Sequence, residues 1–117
     1  CPMIDARRME VYATFFTPSL ETVHPTAADI VSGESYLDLL SQHRVHFFGN
    51  GADKCRGVIT HPHAHFLEDI HPLASGMVSL AEQAFAEKRF VDTAYFEPFY
   101  LKEFVATVAK NKIIPTT

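Results

Sequence analysis

From Glu10 to Thr17 the chain alternates like a strand, yet neither side of the alternation is polar. Val11, Ala13 and Phe15 point one way, and Tyr12, Thr14 and Phe16 the other. Successive side chains of a strand take opposite faces. A strand with apolar groups on both faces predicts a sheet covered on both sides, so the rest of the chain must supply the cover. With 117 residues, 47% apolar and 21% charged, it can. A chain this long is one ordinary domain that removes roughly two-thirds of its unfolded surface from water. Its composition is that of a soluble globular protein and argues against disorder over most of the length.

Around that strand the period of the apolar residues changes along the chain. Met3 to Ala6 reads as a short strand. Pro18-Ser19 marks a turn, and a third strand lies between Thr22 and Val31, interrupted or edged by Pro25. Ser32 is then placed to cap a helix to about Gln42, with Tyr36, Leu37 and Leu40 at helical spacing. Arg44 to Phe48 is a compact apolar strand ending in Gly49-Asn50-Gly51, with a short helix from Ala52 to about Val58 after it. His63 to Leu67 is a further strand. Pro72 suits the first turn of a helix to about Lys88, whose apolar stripe holds Met77, Leu80 and Phe85. Gly76 beside that stripe predicts a close approach to a sheet. The order β-β-β-α-β-α-β-α predicts an α/β fold, a mixed sheet with helices packed on it. The aromatic segment from Ala94 to Phe104 contains Pro98, which prevents one smooth helix. It is expected to lie against the domain surface. Asn111 to Thr117 reads as a frayed tail.

Charge and cysteines narrow the function classes. Ten Lys and Arg against fourteen Asp and Glu give −4, which argues against gripping nucleic acid through a broad basic face. No 18-residue apolar run is present, so no membrane-spanning helix is expected. Cys1 and Cys55 cannot build a disulfide framework of the small secreted kind and read as two reduced cytosolic thiols. With no initiator Met at position 1, the simplest account is a piece cut from a longer protein.

Candidate chemistry is sparse. His61, His63 and His65 alternate as H-x-H-x-H, which on a strand puts three imidazoles on one face. Such a set can bind zinc or nickel, although Pro62 disturbs the strand and no fourth ligand is obvious. The alternative is a polar strand face without a metal, and no metal site is expected. Gly49-Asn50-Gly51 at a strand-to-helix junction could cradle a phosphate, but it matches no phosphate-loop pattern. A tight turn needing positive φ is the plainer reading. Asp5, Arg7, Arg8 and Glu10 cluster between the first two strands, either to orient a ligand or partner or as surface pairs. Cys55 has no local signature of a nucleophile, and no serine sits in G-x-S-x-G.

Four segments together resemble a known family. Ile4-Asp5-Ala6-Arg7-Arg8-Met9-Glu10-Val11-Tyr12 is similar to the I-D-A-R-x-x-E-V-Y strand pair of the TsaB (YeaZ) family. Val45 to Gly51 resembles its strand ending in a glycine turn. Pro72-Leu73-Ala74, with Met77, Leu80-Ala81 and Phe85, resembles its last long helix. Glu97-Pro98-Phe99-Tyr100-Leu101 is similar to its closing E-P-x-Y-L. The matches come in the family's order over about residues 2–104, and the first and last are specific. Leu73 stands where the family often has a small residue.

The resemblance implies a ribonuclease H-like lobe of the actin/Hsp70-like ATPase superfold. The lobe would be the C-terminal half of a two-lobe cytoplasmic bacterial protein, residues 1–105, with 106–117 a flexible tail and the N-terminal lobe absent. The implied function is a non-catalytic scaffold in the complex that makes N6-threonylcarbamoyladenosine at position 37 of tRNA. The implied partners are a TsaD-like catalytic subunit and a TsaE-like ATPase, with tRNA met only through the complex. Cofactors are expected to be none. An older reading of the wider family, a metal-dependent glycoprotease-like hydrolase, stands as the alternative. The catalytic relative's metal histidines have H-x-x-x-H spacing on the other lobe, so His61, His63 and His65 do not inherit that role. Asp5, Arg7, Glu10 and Tyr12, with Glu97, Pro98 and Tyr100, are the candidates for a cleft or partner-facing surface. A lobe without its neighbour should expose apolar surface and self-associate.

Overall fold

The computed structural model describes residues 1–103. The first strand, β1 (Met3–Asp5), turns back into β2 (Glu10–Phe16), which turns again into β3 (Thr22–Ile30). Both pairings are antiparallel, with Asp5 opposite Val11 and Tyr12 opposite Ala28. Helix α1 (Leu37–Gln42) leads to β4 (Val45–Phe47), which pairs in parallel with β5 (Ala64–Phe66). The three-stranded and two-stranded sheets meet through a parallel bridge between Pro2 and Phe48. There the Met3 N–H donates to Phe48 O at 2.8 Å. Through that bridge the strands lie side by side as β3-β2-β1-β4-β5, and β2 alone runs against the rest. The chain is thus a small mixed α/β domain.

One sheet face carries the core. Met3, Val11, Ala13, Phe15 and Phe47 pack there under Leu40 of α1 and under Cys55 and Ile59 of the following turns. The Phe47 ring stacks on Phe66 at 5.2 Å and meets Phe15 edge-on at 6.1 Å. Such pairs add about 0.5–1.5 kcal/mol beyond the area they bury. The other face departs from the expectation of cover on both sides. Thr14 is buried, with its hydroxyl donating to His24 O at 2.8 Å, but Tyr12 is half-buried and Ile4, Phe16 and Ile30 are exposed. Pro25 lies within β3, where the pairing is interrupted. It sits on an edge strand where the register shifts between Ala13 and Phe15, a place where a missing N–H is tolerated.

The helices differ more from expectation. Ser32 does not cap α1. The Ser32 N–H donates to Ser35 Oγ at 2.9 Å in a preceding turn, and α1 starts only after Tyr36, held left-handed at φ 64°. Tyr36 is fixed there by its hydroxyl, which donates to Asp29 Oδ2 at 2.8 Å, and by its ring against Phe15. The segment after Gly51 forms a 3-10 turn, Asp53–Cys55, so the second helix of the expected order is absent there. The long helix begins later than Pro72, with a 3-10 turn at Ala74–Met77 running into α2 (Val78–Ala86).

The expected packing of that helix is also overturned. Leu80 is 60% exposed, Met77 and Phe85 more so, and a Cβ on Gly76 would meet nothing within 4 Å. The aromatic segment does not lie on the surface either. Tyr95 to Tyr100 are exposed, and Leu101 is the first residue to be half-buried again. Phe104 and the segment read as a frayed tail lie outside the described residues. No helix among the described residues is long and apolar enough to cross a membrane.

Candidate functional site

The β1–β2 hairpin turns through two consecutive left-handed residues, Arg7 at φ 71° and Arg8 at φ 50°. Non-glycine residues there cost of order 1–3 kcal/mol each unless the surroundings hold them. The hairpin is held locally. The Ala6 N–H donates to Glu10 O and the Glu10 N–H to Arg7 O, each at 3.1 Å, while the Arg7 N–H donates to Asp5 Oδ1 at 2.9 Å. Asp5 and Arg7 therefore do not share one face of an extended chain, as their spacing suggested. Arg7 turns out of the strand, and its guanidinium and that of Arg8 are left on the exposed tip.

Lys54 and Lys102, which the sequence did not single out, complete the cluster with Asn50 of the glycine run. Lys54, on the turn after the glycines, donates from Nζ to Asp5 Oδ1 at 2.5 Å and to Glu10 O at 2.6 Å. Asn50 Oδ1 accepts from the Asp5 N–H at 3.0 Å. Lys102 Nζ pairs with Glu10 Oε2 at 2.5 Å. The Lys54 ammonium, and after it the Arg7 N–H, hold the Asp5 carboxyl below its ordinary range.

The glycine turn exists to let this happen. Gly49 sits at φ 97°, and a Cβ there would lie 2.4 Å from Met3 O, while one on Gly51 would lie 2.8 Å from the Ile4 carbonyl carbon. The run brings its backbone against β1 so that Asn50 and Lys54 reach Asp5. That is the plainer of the two sequence readings. Only the four-residue step from Asn50 to Lys54 hinted at a shared role, and such a step is common in any turn.

Beside the cluster lies an open pocket of about 530 Å³ at the C-terminal ends of β4 and β5. Three of its charged side chains pair with one another. Arg56 Nη2 lies 3.0 Å from Glu68 Oε1 and 3.5 Å from Asp53 Oδ1, with its guanidinium 5.3 Å above Phe66. Cys55 offers no nucleophile. Burial pushes its thiol up, and its Sγ donates to Gly51 O at 3.3 Å.

The structure separates His65 from His61 and His63. Only His65 lies in β5, where it stacks on His46 of β4 with ring centroids 5.4 Å apart. His61 and His63 stand in the preceding turn, and His63 Nδ1 is 2.8 Å from Leu40 O. Their rings meet edge-on at 5.3 Å. Among the described residues no three His, Cys, Asp or Glu side chains are grouped to hold a metal.

The remaining candidates divide. Tyr12 is half-buried on β2 beside Ile4 and Ala28. Glu97, Pro98 and Tyr100 are exposed, and it is Lys102, just past them, that reaches the hairpin. The arrangement can hold and orient a partner at a charged hairpin, where Arg7 and Arg8 are exposed beside the Lys54–Asp5 pair. Comparisons with protein-family models, curated proteins and solved structures find no match to this chain.

Proposed function

We propose that this chain is a non-catalytic scaffold lobe, similar to the C-terminal lobe of TsaB proteins, in the cytoplasmic bacterial complex that makes N6-threonylcarbamoyladenosine at position 37 of tRNA. The observation that carries the reading is the strand order β3-β2-β1-β4-β5 with β2 alone reversed. That is the order expected of a ribonuclease H-like lobe. The Lys102–Glu10 pair adds weight, because it ties the end of the E-P-F-Y-L segment to the I-D-A-R-R-M-E-V-Y hairpin. These are the two segments most similar to the family. The separation of His65 from the other two histidines and the buried Cys55 thiol favour a scaffold over the glycoprotease-like alternative.

The partners are a TsaD-like catalytic subunit and a TsaE-like ATPase, and tRNA is reached only through them. With a net charge of −4, the lobe has little counterion release to offer tRNA directly. The test is reconstitution of threonylcarbamoyl transfer with both partners, adding either a two-lobe TsaB protein or this chain alone. Transfer is expected with the two-lobe protein and not with this chain in its place. Transfer by this chain without any partner overturns the scaffold reading.

A further inference from the structure

Two histidines from different strands stand side by side on the sheet face turned away from the core. β4 and β5 run in parallel with His46 directly opposite His65. Val45 and Phe47 are buried in the core, and Ala64 and Phe66 pack against it. The alternation of a strand therefore turns both imidazoles to the other face, and both residues are exposed there. Their rings stack with centroids 5.4 Å apart and planes 28° from parallel. Other imidazoles are engaged within the protein. His63 Nδ1 lies 2.8 Å from Leu40 O, His61 Nδ1 accepts from the His63 N–H at 3.1 Å, and His24 Nδ1 lies 3.1 Å from Pro25 O. Among the described residues no hydrogen bond engages the ring of His46 or of His65.

We propose that His46 and His65 together bind one imidazole-seeking divalent ion, zinc or nickel(II), which clips β4 to β5. The donor set selects the ion. Imidazole nitrogen suits zinc and nickel, whereas calcium and magnesium take oxygen. The backbone pairing supplies the affinity. It fixes the two residues opposite each other, so an ion held by one imidazole meets the other at high effective concentration. The ring geometry allows the closure. Near-parallel rings can turn their nitrogens to the same side, and two nitrogens bound to one tetrahedral ion at about 2.0–2.1 Å stand roughly 3–4 Å apart. A modest turn of two exposed side chains, which no hydrogen bond opposes, brings them to that separation. Water completes the coordination. The clip also has something to stabilise. Each of the two strands is three residues long, and parallel pairing is slightly weaker per residue than antiparallel. An ion that binds the paired strands and not the unfolded chain raises stability by mass action. The proposal is independent of the scaffold reading, which gives neither ring a role.

The test is calorimetric titration of zinc, and separately of nickel(II), into the whole chain freed of any histidine tag, with thermal unfolding read in parallel. The variants are His46→Gln and His65→Gln, with His61→Gln as the control. The expected result is one ion per chain at micromolar affinity, weakened about a hundredfold by either of the first two variants and unchanged by the control. The melting temperature should rise with zinc in the unaltered chain and stay put in His46→Gln and His65→Gln. If a variant fails to fold, the ring signals of the unaltered chain decide. Zinc should shift those of His46 and His65 together, at lower concentration than any other histidine. Binding only in the millimolar range, as a lone imidazole gives, overturns the proposal. So does an affinity that only one of the two variants lowers, or that His61→Gln lowers equally.

Discussion

Residues 1–67 and residues 68–103 have similarly apolar sequences and opposite fates. In the first region Met3, Val11, Leu40 and Phe47 are wholly buried. In the second, α2 has an equally clear stripe, and Leu80 and Phe85 on it face outward. The difference is in the partners. The buried residues of the first region have apolar neighbours at hand, as Met3 has Ala13 and Phe47 has Phe66 across a strand pair, so burying one buries the other. The second region has no sheet partner of its own. It shows that an amphipathic pattern specifies a face to be covered and leaves open what covers it.

The comparison breaks most sharply at Phe47. Phe47→Ala removes a ring packed between Phe15 and Phe66 and is expected to cost about 3–5 kcal/mol in denaturant unfolding. A loss under about 1 kcal/mol would mean that the first region is not a tight core. The next largest effect belongs to Gly49→Ala, which forces a side chain into left-handed backbone against Met3 O. Its expected cost is about 2 kcal/mol or more, read as a fall in melting temperature. An unchanged melting temperature would remove the close approach that carries Asn50 and Lys54 to Asp5.

A subtler prediction concerns pH. The Asp5 carboxyl is held below its ordinary range, chiefly by Lys54. A depressed carboxyl adds stability at neutral pH, and that stability is lost as pH falls through the depressed value. Lys54→Met should therefore raise the Asp5 midpoint in an NMR titration and flatten the acid limb of the stability curve. The midpoint should not return fully, because the Arg7 N–H still donates to Asp5. No movement of the midpoint would disprove the Lys54 contact. The smallest effect is expected in the second region. At protein concentrations too low for association, Leu80→Ala should change stability by no more than about 0.5 kcal/mol. A loss of about 2–5 kcal/mol there would show that α2 is packed within the monomer after all.

The meander was legible because its signals are local. The alternation from Glu10 to Thr17, the turn at Pro18-Ser19 and the charged break at Arg7-Arg8 each act within a few residues. The ends of the helices were less legible. Ser32 has the chemistry of a cap, yet the Tyr36–Asp29 hydrogen bond and the Phe15 ring set where α1 begins. The candidate site was half legible. Asp5 and Glu10 stood out by their charge in a strand pair, but Lys54 and Lys102 lie 44 and 92 residues from Glu10. No spacing rule reaches that far.

What the sequence by itself determined is the set of strands and the turns between them. These follow from backbone sterics and side-chain hydrophobicity, which each residue carries with it. The tertiary structure alone decided that β1 joins β4 through Pro2 and Phe48, that His65 parts from His61 and His63, and that α2 stands off its own sheet. Each of these depends on which surfaces meet in space. Burial is a property of a pair of surfaces, and a sequence pattern describes only one of them.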